Sequence, residues 1–268
     1  MTTNNIKKIF DVAEEYRPLG KPIMTGTADF DKAMDGGVRG GELITISGQS
    51  GHGKTSWALF LTKQIVDSGV PCLWFTYEMN PWYLKEKFEA LGAKEDFNTF
   101  VPIKHNENTA EWIKARILEA KEKFACKVVF IDHLHYLLPP EQEQNMSMMI
   151  GGIVRKLKTL AVETDTIIYL IAHARKLQMG EKMDVNAVRD SALIINESDY
   201  VYLVERLKKE VGRQKDVQTE EMTNISKVML AKNRRTGNVF NKYFGVDRGA
   251  FVEVSVEQVN TILHGETT

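Results

Sequence analysis

The chain has 268 residues, 35 Lys plus Arg against 36 Asp plus Glu, a net charge of −1 and 43% hydrophobic residues. That balance fits one large or two small globular domains and excludes both a chain disordered throughout and a uniformly basic nucleic-acid coat. No apolar run reaches the roughly 18–20 residues that cross a bilayer, and the two cysteines, Cys72 and Cys126, each stand alone in an apolar stretch, so a cytoplasmic protein without disulfides or zinc–thiolate clusters is expected.

Residues 5–16 place Ile6, Ile9, Phe10, Val12 and Ala13 at helical spacing, which predicts a short amphipathic helix ended by Pro18, Gly20 and Pro22. Residues 1–22 therefore read as an N-terminal arm and residues 23–268 as one domain. A buried strand over 42–47 runs into Gly48-Gln49-Ser50-Gly51-His52-Gly53-Lys54-Thr55, followed by a helix from Ser56 to about Asp67. Apolar stretches at 71–77, 127–132 and 166–172 predict three more buried strands, and helical patterns fill 81–91, 110–124 and 145–164. Later strands are expected at 200–204 and 227–231, a solvated hairpin or loop at 207–217, and a closing hairpin at 242–251. Strands apolar throughout that alternate with helices indicate an α/β fold whose mainly parallel central sheet is flanked by helices. The cluster Met146, Met148, Met149, Ile150 and Ile153 reads as core or subunit packing.

Gly48-x4-Gly53-Lys54-Thr55 is a complete P-loop pattern in its required setting, strand before and helix after. Its glycines let backbone N–H groups turn toward the α and β phosphates of ATP, Lys54 brings positive charge to the β and γ phosphates, and the Thr55 hydroxyl suits Mg²⁺. The helix that begins near Ser56 points its positive end at the same anion. Asp132 closes an apolar strand, so its carboxylate is expected at the same sheet edge as the second metal ligand. Glu78 ends the 71–77 strand on that edge and is expected to activate the attacking water. The pair His133 and His135 near Asp132 is discounted as a metal site of its own, because Mg²⁺ already accounts for Asp132.

In this order the segments resemble the RecA-like motor domain of DnaB-type replicative helicases, close to the helicase domain of phage primase-helicases. The resemblance runs from about residue 25 to 251 and rests on these segments: Thr25-Gly26-Thr27 to Asp31, Gly36-Gly37-Val38-Arg39-Gly40-Gly41-Glu42, Tyr77-Glu78-Met79, Ile131-Asp132-His133-Leu134, the helix 153–161, Ile171-Ala172-His173, Arg189-Asp190-Ser191-Ala192 to Asp199, and Lys232-Asn233-Arg234. It implies a RecA-like P-loop core with a C-terminal β-hairpin region, Glu78 as the catalytic residue and His173 as a γ-phosphate sensor. It also implies that Lys232 and Arg234 reach a neighbouring subunit's ATP, though the adjoining Arg235 leaves the choice between the two arginines open.

Single-stranded DNA is the implied partner, in a hexameric ring or filament of copies, with a primase or loader protein as a further partner. Two channel loops would hold the strand, 138–149 and 174–189. The second carries Arg175, Lys176, Lys182 and Arg189, which could track phosphates, whereas the first is acidic. The family's N-terminal primase or collar domain finds no match in this sequence, and the helix over 5–16 is expected to dock either on a neighbour or on its own domain. A RecA-like assembly ATPase that binds DNA without unwinding it is the competing reading.

Overall fold

The computed structural model describes residues 8–12, 20–103, 107–138, 146–174, 183–184, 191–214 and 217–264. Its strands are β1 (Leu43–Gly48), β2 (Cys72–Thr76), β3 (Thr99–Phe100), β4 (Val128–Asp132), β5 (Ile167–His173), β6 (Tyr200–Gln214), β7 (Val217–Asn233), β8 (Phe240–Asp247) and β9 (Ala250–Val254). They form one sheet in the order β3-β2-β4-β5-β1-β6-β7-β8-β9. Every pairing from β3 to β6 is parallel, and the remaining three are antiparallel.

The apolar strands are buried because both faces of the sheet are covered, and their alternation sorts side chains into two cores. On β4, Val128 and Phe130 face one cluster with Trp57, Trp74 and Tyr169, while Val129 and Ile131 face the other with Leu73, Ile168 and Leu170. The first face is covered by α2 (Ala28–Ala33), α3 (Lys54–Asp67) and α4 (Pro81–Ala90), the second by α5 (Ala110–Phe124), α6 (Met146–Thr164) and α7 (Ser191–Glu197). Local chemistry starts and stops these helices. Pro81 opens α4 behind an Asn80 side chain that accepts from the Trp82 N–H, the Thr109 hydroxyl accepts from Trp112 N–H ahead of α5, and Ala125 ends α5 in the left-handed region. Among the described residues no helix is long and apolar enough to cross a membrane.

Several elements differ in extent from the sequence expectation. The strands expected at 200–204 and 227–231 are parts of β6 and β7, which pair over a long ribbon with three register shifts, and the described residues of the hairpin or loop expected at 207–217 lie in the antiparallel outer part of that ribbon. Residues 227–230 lie inside the sheet, paired with β6 on one side and with β8 on the other. Elements not expected from the sequence include β3, α2, α7 and α8 (Val256–His264). The closing hairpin is present as β8–β9. Of the predicted N-terminal helix only Ile9–Val12, labelled α1, lies within the described residues; there Ile9 and Phe10 are exposed. In the methionine cluster Ile150 is buried in the second core, whereas Met148 stands 73% exposed.

Candidate active site

The sheet edge where β1 ends gathers five of the residues singled out in the sequence. Gly48 closes β1, and a Cβ there would fall 2.2 Å from the Val204 carbonyl oxygen of the adjoining β6, so a side chain is excluded. Gly51 and Gly53 take φ of 77° and 94°, open to glycine, and the chain between them turns Gln49, Ser50 and His52 ahead of α3. The His52 Nδ1 accepts from the Arg206 N–H at 3.2 Å, which fixes the loop to β6. Lys54 is buried and donates to the Gln49 carbonyl at 2.9 Å. Burial pulls its ammonium pKa down, while the charges of Asp132 and Glu78 oppose the shift. Thr55 and Ser56 follow in the first turn of α3.

The Thr55 hydroxyl donates to Asp132 Oδ2 at 3.0 Å. The other carboxylate oxygen, Oδ1, is buried and has no hydrogen-bond partner among the described residues. An orphaned carboxylate oxygen beside a threonine hydroxyl is the all-oxygen donor set a magnesium ion takes, so these residues fit that ion. Burial pushes the Asp132 carboxyl up to about 6, with Glu78 adding to the shift and Thr55 and Lys54 opposing it.

That shift has a consequence for stability. Between the unfolded value near 3.9 and the native value of about 6, the folded chain holds a proton that the unfolded chain has released. Stability from this group is therefore complete below the unfolded value and is lost as pH rises through about 6, by on the order of 3 kcal/mol. Asp132→Asn should withstand more urea than the wild type at neutral pH without divalent cation, and the difference should shrink at about pH 4. An equal difference in urea midpoint at both pH values would refute this account.

Glu78 leaves the end of β2 with its side chain about half exposed. Its position is set by backbone pairing: Thr76 registers with Asp132, and the Tyr77 and Glu78 N–H groups both donate to the Asp132 carbonyl, at 2.9 and 3.3 Å. Glu78 Oε2 lies 3.7 Å from Nδ1 of His133, a buried imidazole whose pKa is driven down to about 3 by burial first and then by His173, His135 and Lys54. His133 is thus neutral at working pH. His173 ends β5 directly opposite Gly48, and its ring centroid lies 4.3 Å from that of His133. The sequence reading passed over His133 as part of this cluster. Its nearness to Glu78 and His173 follows from strand register, which residue spacing along the chain does not reveal.

Lys232 and Arg234 lie elsewhere. Asn233 registers with Tyr200, and Tyr200 with Ile44, so they stand at the edge where β1 begins, opposite the P-loop. Lys232 Nζ donates to the carbonyls of Ile195 and Asn196 at the end of α7. Arg234 pairs with Asp199 at 3.0 Å with its side chain 47% exposed, whereas Arg235 is more buried and is held by Glu42 and by the carbonyls of Met34 and Gly37. Arg234, which also donates to the Asn196 carbonyl, is the more exposed of the two arginines. Arg175, Lys176, Lys182 and Arg189 lie outside the described residues, as does most of the first expected channel loop.

Residues 23–207 match the family described as ATPase: KaiC. The chain is 23% identical over 231 residues to a probable plasmid replicative DNA helicase of Chlamydia psittaci, covering 75% of this chain and 48% of that protein. It is 20% identical over 236 residues to the DNA helicase/primase of Enterobacteria phage T3, covering 75% and 40% respectively. The chain thus spans about half the length, or less, of these curated relatives. Among solved structures, a DnaB-like replicative helicase studied with its interactions with primase superposes with a TM-score of 0.74 at 19% identity, over 94% of this chain and 69% of that one. The likeness supports the RecA-like arrangement of the sheet expected from the sequence.

Proposed function

Because the chain belongs to the KaiC ATPase family, we propose that it is an ATP-hydrolysing motor of the DnaB replicative-helicase type, acting on single-stranded DNA as a ring or filament of copies. Residues 23–268 would form the motor and residues 1–22 an arm. The reading is carried by one observation: Lys54, Thr55, Glu78, Asp132 and His173 meet at the sheet edge where β1 ends.

In this reading the N–H groups of residues 49–55 cradle the α and β phosphates of ATP, and Lys54 leaves the Gln49 carbonyl to take up the β and γ phosphates. Thr55 and Asp132 would hold a magnesium ion, which would supply positive charge to the phosphates. Glu78 takes the proton of the attacking water, and His173 donates to a γ oxygen. Arg234, seconded by Lys232, stabilises the charge that develops on a neighbour's γ phosphate. Contact with the DNA backbone is assigned to Arg175, Lys176, Lys182 and Arg189. A primase or a loader is the further partner this reading calls for.

The test is a forked duplex with one labelled strand, together with particle mass measured with and without a non-hydrolysable ATP analogue and single-stranded DNA. Assembly with nucleotide and ATP-dependent release of the strand are expected. An assembly ATPase of the RecA kind would hydrolyse ATP on DNA and leave the fork closed. A dilute monomer that hydrolyses ATP at full rate, indifferent to DNA, would overturn the motor reading altogether.

A further inference from the structure

One ligand atom each from Glu78, His133 and His173 lies within 4.8 Å of the other two. A tetrahedral zinc ion with bonds of about 2.0–2.2 Å sets its ligand atoms about 3.4 Å apart. The Glu78–His133 separation of 3.7 Å is already close to that edge, and the half-exposed Glu78 side chain is free to adjust. His133 Nδ1 is buried and lacks a hydrogen-bond partner among the described residues, so its donor atom is directed into the cluster with nothing else to satisfy it. The β4 and β5 ends that carry the two imidazoles are fixed by the sheet, with Ile131 opposite Leu170 one residue before Asp132. The two rings stand at 86° with centroids 4.3 Å apart, so closing the site takes small shifts of the rings as well as of the carboxylate.

We propose that Glu78, His133 and His173 form a site for Zn²⁺, separate from the oxygen site at Thr55 and Asp132, and that filling it switches hydrolysis off. Two imidazoles and one carboxylate suit zinc and its transition-metal neighbours, whereas magnesium selects the oxygens of Thr55 and Asp132. Two histidines and a glutamate are also the protein ligands of some zinc enzymes, with one position left for water or a phosphate oxygen. Coordination by zinc occupies the Glu78 oxygen that would otherwise accept a proton from water. Binding of the metal needs no assumption about activity; the switch itself rests on the ATPase reading above.

The nucleotide-free chain is titrated with Co²⁺, whose visible absorption reports tetrahedral coordination, and with Zn²⁺ against a chromophoric chelator. One equivalent is expected, with affinity lowered at least about tenfold by His133→Ala and by His173→Gln, and unchanged by Thr55→Ala. His173→Gln keeps a hydrogen-bonding side chain of similar reach, so it remains informative if His133→Ala does not unfold cooperatively. In the ATPase assay at saturating Mg²⁺ and ATP, Zn²⁺ near its measured dissociation constant should halve turnover, and a chelator should restore it. Affinity that is the same in wild type and both histidine variants would overturn the site, and full turnover with zinc bound would overturn the switch. If the wild-type chain shows no hydrolysis under any condition, the ATPase reading fails while the binding titration still decides the site.

Discussion

Glu78→Gln should bind ATP at least as tightly as the wild-type chain and hydrolyse it at least tenfold more slowly, within the roughly 10²–10⁴-fold range that a positioned general base contributes. The two halves of this expectation have different physical sources. Glutamine keeps the shape of the side chain, and the backbone that aims it is held by the Asp132 carbonyl through the Tyr77 and Glu78 N–H groups, so the site should keep its geometry. The amide cannot take a proton from water, and that loss falls on the chemical step alone. Removing a negative charge near a polyanion also favours nucleotide binding. A fluorescent ATP analogue measures the affinity and single-turnover hydrolysis measures the step. Unchanged turnover at unchanged affinity would remove Glu78 from the role.

The parts of this architecture that could be read from the sequence are those in which one residue pattern has one structural solution. Apolar runs such as Val128–Asp132 can be satisfied only by burial on both faces, and Gly48 to Thr55 form a phosphate loop only between a strand and a helix. Asp132 was expected at the same sheet edge as the loop, and its carboxylate accepts from the Thr55 hydroxyl at 3.0 Å. The long ribbon of β6 and β7 was less legible, because its outer half carries charges of both signs in sequence and is built by cross-strand pairing. Thr99–Phe100 is too short to leave a periodicity, and its two residues form a strand only because β2 offers an open edge. The His133 cluster was missed for a different reason: three residues far apart in sequence meet through the registers of β2, β4 and β5. Asp199 shows the same limit. It accepts from the Leu43 N–H and pairs with Lys158 and Arg234, joining the start of β1, helix α6 and the end of β7.

The larger effect is expected at Arg234. Replacing it with alanine should leave ATP affinity intact and lower turnover by roughly 10³–10⁵-fold, the range for an arginine that stabilises transferring phosphoryl charge. In its own chain the residue is on the wrong side of the sheet for that work. Tyr200, next to Asn233 in register, pairs with Ile44, and from there β1 runs about 13 Å to the P-loop glycine. In the proposed assembly, the γ phosphate that Arg234 would reach therefore belongs to a second copy. Its present partners are Asp199 and the Asn196 carbonyl, the guanidinium is about half exposed, and Asp199 keeps Lys158 and the Leu43 N–H when it leaves. Lys54→Ala chains retain the arginine but lose their own phosphate site, so they complement the Arg234→Ala defect. Mixed in equal amounts, two inactive proteins should regain activity, with about one interface in four carrying both an intact P-loop and an intact arginine in a head-to-tail assembly. Activity that stays absent at every mixing ratio, although the two proteins co-assemble by mass, would show that Arg234 does not act across subunits.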